Sequence, residues 1–206
     1  MNAPPAHAKD PAQAKDAARR TRLTPEREGE LYDAVLDLLR ESGYDALTMD
    51  GVAERCRCSK ATLYRKWQGK PRLVAQALLH GRPFRLDGVD TGSLAGDLHE
   101  LARRMGGAKK DVRLIRAVAP AVHRDPELAA ALHEALVRPE LDLVLAMLDR
   151  AVARGEIRPG CPASAFLPHM LVGGLLVRPL LDQCEADVPY LERYVDCVVL
   201  PALLRN

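Results

Sequence analysis

The stretch ALTMDGVAERCRCSKATLYRKWQGKPRLVAQAL, residues 46–78, decides the fold of the amino-terminal part of the chain. Thr48 and Ser59 each stand at the beginning of a short segment whose apolar residues have helical spacing. Serine and threonine favour this position because their hydroxyl oxygens accept a hydrogen bond from a backbone N–H of the first helical turn. Two short helices, about 48–55 and 59–67, with so few residues between them predict a helix-turn-helix.

Two further predicted helices flank this pair. Upstream, Thr24-Pro25-Glu26 combines an N-cap, a proline that fits the first helical turn and an acid near the positive end of the helix dipole. Apolar residues then recur at i, i+3, i+4 and i+7, so helix 1 is predicted to run to about Ser42 and to stop at Gly43. Downstream, helix 4 is predicted from about Gly69 to His80, which completes a helix-turn-helix domain at 24–80.

Five more helices are predicted after a connection rich in Gly, Pro and Asp at 81–92, and no convincing strand is found. The chain is therefore predicted to be all-α, with about nine helices and a second domain at 81–206. Pro139 should kink the seventh helix, because proline lacks a backbone donor and collides with the preceding turn. The five helices are predicted at about 93–107, 109–123, 125–155, 163–182 and 191–203.

Basic charge is concentrated in the helix-turn-helix. The whole chain has a formal net charge of +2, but residues 55–72 contain seven bases and no acid. A local basic surface is what a polyanionic partner such as DNA requires. Catalytic motifs, phosphate-binding glycine loops and metal-ligand patterns are not found, so we expect no enzymatic activity, cofactor or metal. Cys56 and Cys58 are too closely spaced for an ordinary zinc site.

Cysteine usage and hydropathy indicate a compartment. The five cysteines are odd in number, form no CxxC pair and follow no secretory leader, which favours a reduced, cytoplasmic protein. The longest apolar run, Ala165 to Leu181, is shorter than the ~20 residues that a membrane-spanning helix needs, and His169 and Arg178 interrupt it. A buried helix is predicted there instead.

Residues 1–23 lack apolar periodicity and suggest a mobile tail. The cations of this tail either remain solvated or form an arm that enters the minor groove of DNA. These cations are Lys15, Arg19, Arg20 and Arg22.

The second of the two short helices has the two faces of a recognition helix. Leu63 and Trp67 are four residues apart and should pack inward, which turns Lys60, Ala61 and Tyr64 outward towards bases. In a major groove the lysine suits guanine O6 and N7, and the alanine suits a thymine methyl group. The alternative is the solvated basic side of an ordinary small helical bundle.

Other polar residues around this helix suit the phosphate backbone. Thr62, Lys66 and Lys70 are expected to face phosphates, and Lys70 also opens helix 4, where the helix dipole favours an anion. The predicted DNA-binding residues are Thr48, Ser59, Lys60, Ala61, Thr62, Tyr64, Arg65, Lys66 and Lys70.

The same stretch resembles the DNA-binding domain of TetR-family transcriptional regulators. The shared features are the Thr before helix 2, the Val-Ala-Glu-Arg within it, the Ser and Thr-Leu-Tyr of helix 3, and the Lys that opens helix 4. The resemblance implies a variable carboxy-terminal ligand domain and a homodimer whose last two helices form a four-helix bundle. Arg57 departs from the pattern, because the family often has Gly in this turn, and it is expected to accept left-handed backbone geometry.

The carboxy-terminal helices carry the expected dimer and ligand sites. The eighth helix is apolar on nearly every side and contains Gly173-Gly174, which would let another helix approach closely, so we expect a homodimer through helices 8 and 9. Phe166, His169 and Arg178 are the candidate ligand-binding residues. Arg178 also lies four residues before Asp182, and a structural salt bridge is the more usual role of such a pair.

Three functions fit the sequence to different degrees. The favoured one is a repressor that binds double-stranded DNA at a near-palindromic operator and is released by an unknown small-molecule effector. The second is a DNA-binding regulator without a small-molecule effector, or an activator. The third, an enzyme or a ligand carrier, lacks supporting motifs. Lys60→Ala and Tyr64→Ala separate these classes, because an enzyme would be indifferent to both.

Overall fold

The computed structural model describes residues 24–108 and 112–204, and within them every regular element is a helix. The all-α prediction is confirmed. Helices α1 to α6 are Pro25–Ala46, Met49–Arg55, Lys60–Trp67, Lys70–His80, Leu94–Gly107 and Val112–Val122. Helix α7 comprises Pro126–Leu132, a π-helical turn at His133–Val137, and Arg138–Ala153. Helix α8 comprises a 3₁₀ turn at Pro162–Phe166 followed by Leu167–Leu181. Helix α9 comprises Val188–Tyr194, a π-helical turn at Val195–Val199, and Leu200–Leu204.

The chain forms two compact units. In the described residues the first unit consists of 24–81 and 112–131, and the second consists of 82–108 and 132–204. The structure thus groups α6 with the amino-terminal helices, whereas the sequence interpretation assigned all of 81–206 to one carboxy-terminal domain. The physical reason is tertiary, since α6 packs along α1 and buries Leu114, Val118 and Ala121.

Local signals set the helix ends in the first unit. The Thr24 hydroxyl accepts a hydrogen bond from the Arg27 N–H at 3.4 Å and so caps α1. Gly43 has φ 79°, a conformation that residues with a side chain rarely adopt, and it interrupts α1 where the sequence predicts the stop. The α1 residues Val35 and Leu39 are fully buried, so this helix forms the centre of the unit.

The second unit is built around α5, the later part of α7, α8 and α9, whose apolar faces form one core. Two glycines mark places where helices of this unit approach each other closely. A Cβ at Gly106 would lie 2.6 Å from the backbone nitrogen of Val188, so α5 and the beginning of α9 meet main chain to main chain. A Cβ at Gly174 would lie 2.9 Å from the Tyr194 ring, which confirms that this glycine lets another helix approach closely.

The internal prolines of α7 and α9, those beyond the first turn, both follow a π-helical turn. The N–H of Arg138 donates to the carbonyl of His133, and the N–H of Leu200 donates to that of Val195, each five residues back. Pro139 and Pro201 follow directly. Proline cannot donate to the carbonyl four residues earlier and its ring collides with it, so a locally widened helix accommodates the ring. The predicted disturbance at Pro139 therefore takes the form of a π-helical turn.

Helix α8 corrects one prediction. As folded, Pro162–Leu181 is a 20-residue helical segment, long and apolar enough to cross a membrane by length and composition, and only 22% of it is buried. The expectation of a buried helix is wrong for the single chain, because Phe166 and Leu180 are 63% and 80% exposed. Part of the apolar surface of this helix is therefore not packed against any other described residue.

Candidate DNA-binding surface and ligand cavity

Helix α2 and the turn after it position the recognition helix. The Thr48 hydroxyl accepts from the Gly51 N–H at 3.1 Å and caps α2. Arg57 has φ 50°, which confirms the left-handed geometry expected where the family often has Gly. The N–H of Cys58 then donates to the carbonyl of Ala53 at 3.0 Å, so the turn is closed by a backbone hydrogen bond.

Helix α3 presents the two faces that its sequence predicts. The Ser59 hydroxyl accepts from the backbone N–H of Thr62 at 3.2 Å and begins the helix. Leu63 is fully buried and Trp67 is 4% exposed, so this side packs inward. The opposite side carries Lys60, Ala61 and Tyr64, which are all exposed.

A chain of hydrogen bonds fixes the inward side of α3 against α1. The Trp67 indole N–H donates to the Tyr32 hydroxyl at 3.2 Å, and that hydroxyl donates to the Glu28 carboxylate at 2.7 Å. The two rings meet edge to face with their centroids 5.8 Å apart. Burial, reinforced by the neighbouring Glu28 carboxylate, raises the pKa of Tyr32 to about 12, so the hydroxyl stays a donor. These contacts with α1 therefore fix which face of α3 points outward.

The cations of the outer surface lie next to carboxylates. The Lys60 ammonium is 2.9 Å from the Asp50 carboxylate, and hydrogen bonding to that group raises the pKa of Lys60. Lys66 pairs in the same way with Glu28. Exposed pairs of this kind contribute little to stability, so a phosphate can replace the carboxylate at little cost. Arg65 is exposed and has no ion pair within residues 24–108 and 112–204.

Sequence reasoning missed the two carboxylates. Asp50 lies ten residues before Lys60, on α2, and Glu28 lies 38 residues before Lys66, on α1. Pairs on one helix are detectable from i, i+4 spacing, but these depend on how separate helices pack. These carboxylates hold the cations near the surface of α3.

Two predicted phosphate contacts are placed differently from the expectation. Thr62 is 7% exposed, and its hydroxyl lies 2.7 Å from that of Ser59, so it belongs to the helix cap rather than to the outward face. The Lys70 ammonium donates to the carbonyl of Tyr44 at 3.0 Å and lies 4.1 Å from the centre of its ring. The Lys70 ammonium is therefore paired with Tyr44 within the first unit.

The beginning of α4 keeps the other feature expected there. Lys70 is the first residue of this helix, and Gly69 before it supplies no side-chain cap. The first backbone N–H groups of a helix have no partner within it, and they attract anions together with the helix dipole. This helix end can therefore receive a phosphate through its backbone.

The second unit contains a cavity of about 280 Å³ that is partly open to solvent. Its walls come from the segment before α5 and from α5, α7 and α8, and they are apolar except for Arg82 and Glu140. None of the predicted ligand-binding residues lines it. Phe166 and His169 are exposed, with their rings 6.2 Å apart, and α8 faces the cavity instead with Pro168, Leu171, Val172 and Leu175.

Arg178, the third predicted ligand residue, connects α8 to α9. Its guanidinium is 3.8 Å from Asp182, as the i, i+4 spacing predicts, and 2.8 Å from Asp187. Asp187 caps α9 by accepting from the Tyr190 N–H at 3.2 Å, and Arg178 lowers the pKa of Asp187. The guanidinium also lies 3.9 Å from the centre of the Tyr190 ring. The role of Arg178 here is structural, so its assignment to ligand binding is corrected.

A capped two-helix motif with an exposed basic face defines a helix-turn-helix protein, and known proteins identify its family. Residues 31–77 match the model of bacterial regulatory proteins of the tetR family, and residues 89–198 match the tetracyclin repressor-like C-terminal domain. The chain belongs to the TetR family of transcriptional regulators, which bind DNA and dimerise and are not enzymes.

Individual relatives agree with this assignment. An uncharacterised HTH-type transcriptional regulator of Mycobacterium tuberculosis is 37% identical over 184 residues, which cover 87% of this chain and 89% of that protein. The DNA-binding transcriptional repressor TetR of Mycobacteroides abscessus is 33% identical over 84% of this chain and 92% of its own length. The solved structure of the flavonoid-responsive regulator FrrA has a TM-score of 0.63 at 23% identity, covering 84% of this chain and 93% of that one, and so shares the fold.

Proposed function

We propose that this protein is a cytoplasmic repressor that binds a near-palindromic DNA operator as a homodimer and is released by a small molecule. The observation that carries the DNA-reading part is the two-sided character of α3. Its inward face is held by Leu63 and Trp67, and its outward face offers Lys60, Ala61 and Tyr64. A small central residue between two hydrogen-bonding ones suits close approach to base edges in the major groove.

Phosphate contacts are assigned to exposed groups around this face. Arg65 and Lys66 on the same helix supply positive charge, and the backbone N–H groups at the beginning of α4 supply a neutral anion site. Thr48 and Ser59 are exposed at the starts of α2 and α3, although their hydroxyl groups already cap these helices. Such contacts fix the register on DNA, and the residues facing the bases supply the sequence preference.

The homodimer is proposed to form through α8 and α9. Both helices expose large apolar side chains, which a single soluble chain rarely leaves uncovered in one region. A second copy related by two-fold symmetry would cover them with the same surface. It would also present two recognition helices about 34 Å apart, one turn of DNA. The exposed apolar residues include Leu176, Val177, Leu180, Leu181, Val198 and Leu204.

Release by a small molecule is supported by the cavity of the second unit. Its volume of about 280 Å³ and its apolar walls are those of a small-ligand site. A ligand can release DNA only if it binds one conformation of the dimer more tightly than the other. The solved structure FrrA is named a flavonoid-responsive regulator, and a response of that protein to a small molecule supports the proposal for this fold.

Selection from a library of random DNA duplexes tests this function. We expect the purified chain to enrich a palindromic consensus, with log affinity falling against log salt by about 0.9 per phosphate neutralised. Lys60→Ala should weaken binding to the consensus, whereas Arg103→Ala, which removes an equal charge from an exposed site on α5, should not. Failure to enrich any sequence above background contradicts the proposal.

A further inference from the structure

Asp50 places a carboxylate next to the first residue of the recognition helix. It is the second residue of α2, and Lys60 is the first residue of α3. The Lys60 Nζ atom lies 2.9 Å from each of the two carboxylate oxygens of Asp50. The Lys60 and Asp50 side chains are 51% and 71% exposed, so the ammonium and the carboxylate face solvent together. They do so at the end of α3 whose residues contact base edges when such a helix lies in a major groove.

The position of Asp50 is unfavourable for binding to DNA in general. A carboxylate repels the phosphate groups that the surrounding basic residues attract. Thr48 already caps α2 through the Gly51 N–H, so the Asp50 carboxylate is not needed for that role. This carboxylate therefore favours DNA binding only where it meets a hydrogen-bond donor. The donors in the major groove are the amino groups of cytosine N4 and adenine N6.

The spacing within the Lys60–Asp50 pair matches one edge of a G·C base pair. Guanine O6 accepts a hydrogen bond from cytosine N4, so these two atoms lie about 2.9 Å apart. The ammonium and the carboxylate have the same separation, with a donor to face O6 and an acceptor to face N4. The ammonium has three donors, N4 has a second hydrogen, and both oxygen groups have spare lone pairs. All four groups can therefore be joined without breaking either pair.

The order of groups across the groove distinguishes G·C from A·T. Guanine presents two adjacent acceptors, N7 and O6, and cytosine follows with a donor. Lys60 can donate to both acceptors while Asp50 accepts from cytosine. An A·T pair places the adenine amino donor where guanine has O6 and the thymine O4 acceptor where cytosine has N4. The ammonium would then face a donor and the carboxylate would face an acceptor.

We propose that Asp50 and Lys60 together read one G·C base pair in each half of the operator. Lys60 donates to guanine O6 and N7, and Asp50 accepts from cytosine N4. This inference rests on the proposed function and names the base pair that the beginning of α3 selects. Asp50 is then a specificity-determining residue, because it favours binding where cytosine supplies the donor and opposes binding to phosphates elsewhere.

Selection from random DNA duplexes by the full-length wild type and by Asp50→Ala tests this inference. We expect the wild type to require a G·C pair at one position of the half-site, and Asp50→Ala to accept any base pair there. The other positions should stay the same in the variant, which shows that it is folded. Glu30→Ala removes an equal charge from an exposed site on α1 and should select the wild-type consensus.

Modified operators identify the atom that Asp50 contacts. N4-methylcytosine at that position keeps the base pair but blocks the hydrogen that faces the groove, so wild-type affinity should fall about fivefold or more. Asp50→Ala should bind the unmodified operator with a similar loss and should be insensitive to the methyl group. Inosine in place of the guanine alters only the minor groove and should change neither affinity. Affinity for a scrambled duplex should not fall in Asp50→Ala, whereas a folding defect would lower it.

The inference and the proposed function fail separately. If the wild type enriches a consensus but tolerates N4-methylcytosine throughout it, the repressor function stands and the role of Asp50 is overturned. The same holds if Asp50→Ala selects the unchanged wild-type consensus. If the wild type enriches no sequence, both are overturned.

Discussion

Replacement of Tyr32 by Phe should destabilise the first unit by removing one oxygen atom. The Tyr32 hydroxyl accepts from the Trp67 indole N–H and donates to Glu28, at 3.2 and 2.7 Å. Without it the indole N–H loses its partner, and Trp67 is buried, so water cannot replace the hydroxyl. An unsatisfied buried donor costs about 1–3 kcal/mol. Glu28 still has Lys66 and is partly solvated, so it adds little. We expect a total loss of about 2 kcal/mol.

Urea denaturation followed by tryptophan fluorescence measures this loss directly, because Trp67 is the single tryptophan of the chain and lies in the first unit. Tyr190→Phe is the matched control, since its hydroxyl has no hydrogen bond within the described residues and it lies in the second unit. This control should leave the fluorescence transition unchanged.

A double-mutant cycle with Trp67→Phe separates the hydrogen bond from packing. Trp67→Phe removes the donor itself, so adding Tyr32→Phe to it leaves no unsatisfied N–H. Followed by circular dichroism, the double variant should therefore be more stable than the sum of the two single losses by about 1 kcal/mol. Strictly additive losses, or a Tyr32→Phe variant as stable as the wild type, would refute the role assigned to this hydroxyl.

Three other outcomes follow from the structure. The pKa of Tyr32 is raised from 10.0 to about 12. The contribution of the Tyr32 hydroxyl to the free energy of unfolding should therefore be complete below pH 10 and lost as the pH rises to 12. Urea titrations should show the stability of the wild type approaching that of Tyr32→Phe over that interval. Gly106→Ala should lower the free energy of unfolding by about 1–3 kcal/mol, because its Cβ would meet main chain at 2.6 Å, whereas Gly107→Ala, with open space, should not. Leu180→Glu should yield folded monomers in sedimentation equilibrium if α8 and α9 form the dimer, and Leu145→Glu, exposed on α7, should leave the dimer intact.

Helix boundaries were predictable because their causes are local. Thr24, Thr48 and Ser59 cap their helices through backbone N–H groups three residues away, and Gly43 interrupts α1 through its own backbone conformation. The left-handed geometry of Arg57 was expected from the resemblance, because the family often has Gly at this place in the turn. Signals of this kind are complete within a few residues of sequence.

Features that depend on packing between distant segments were not predictable. The grouping of α6 with the amino-terminal helices depends on which apolar face fits α1, and several faces in this chain are similar. Thr62 lies about 100° from the inward Leu63 around the helix, and only the packing shows that it lies inside. Helix α8 is apolar on nearly every side, so periodicity could not distinguish the cavity-facing Leu171 from the exposed Phe166.

The central claim is that α3 reads DNA sequence. The most direct measurement is the ratio of affinities for the selected operator and for a scrambled duplex of equal length, compared among the wild type, Lys60→Ala, Tyr64→Ala and Arg103→Ala at one salt concentration. A lost base contact costs about 1–3 kcal/mol, so the ratio should fall about fivefold or more in the two α3 variants and stay constant in Arg103→Ala. An unchanged ratio in both α3 variants would contradict the assignment of α3 as the recognition helix.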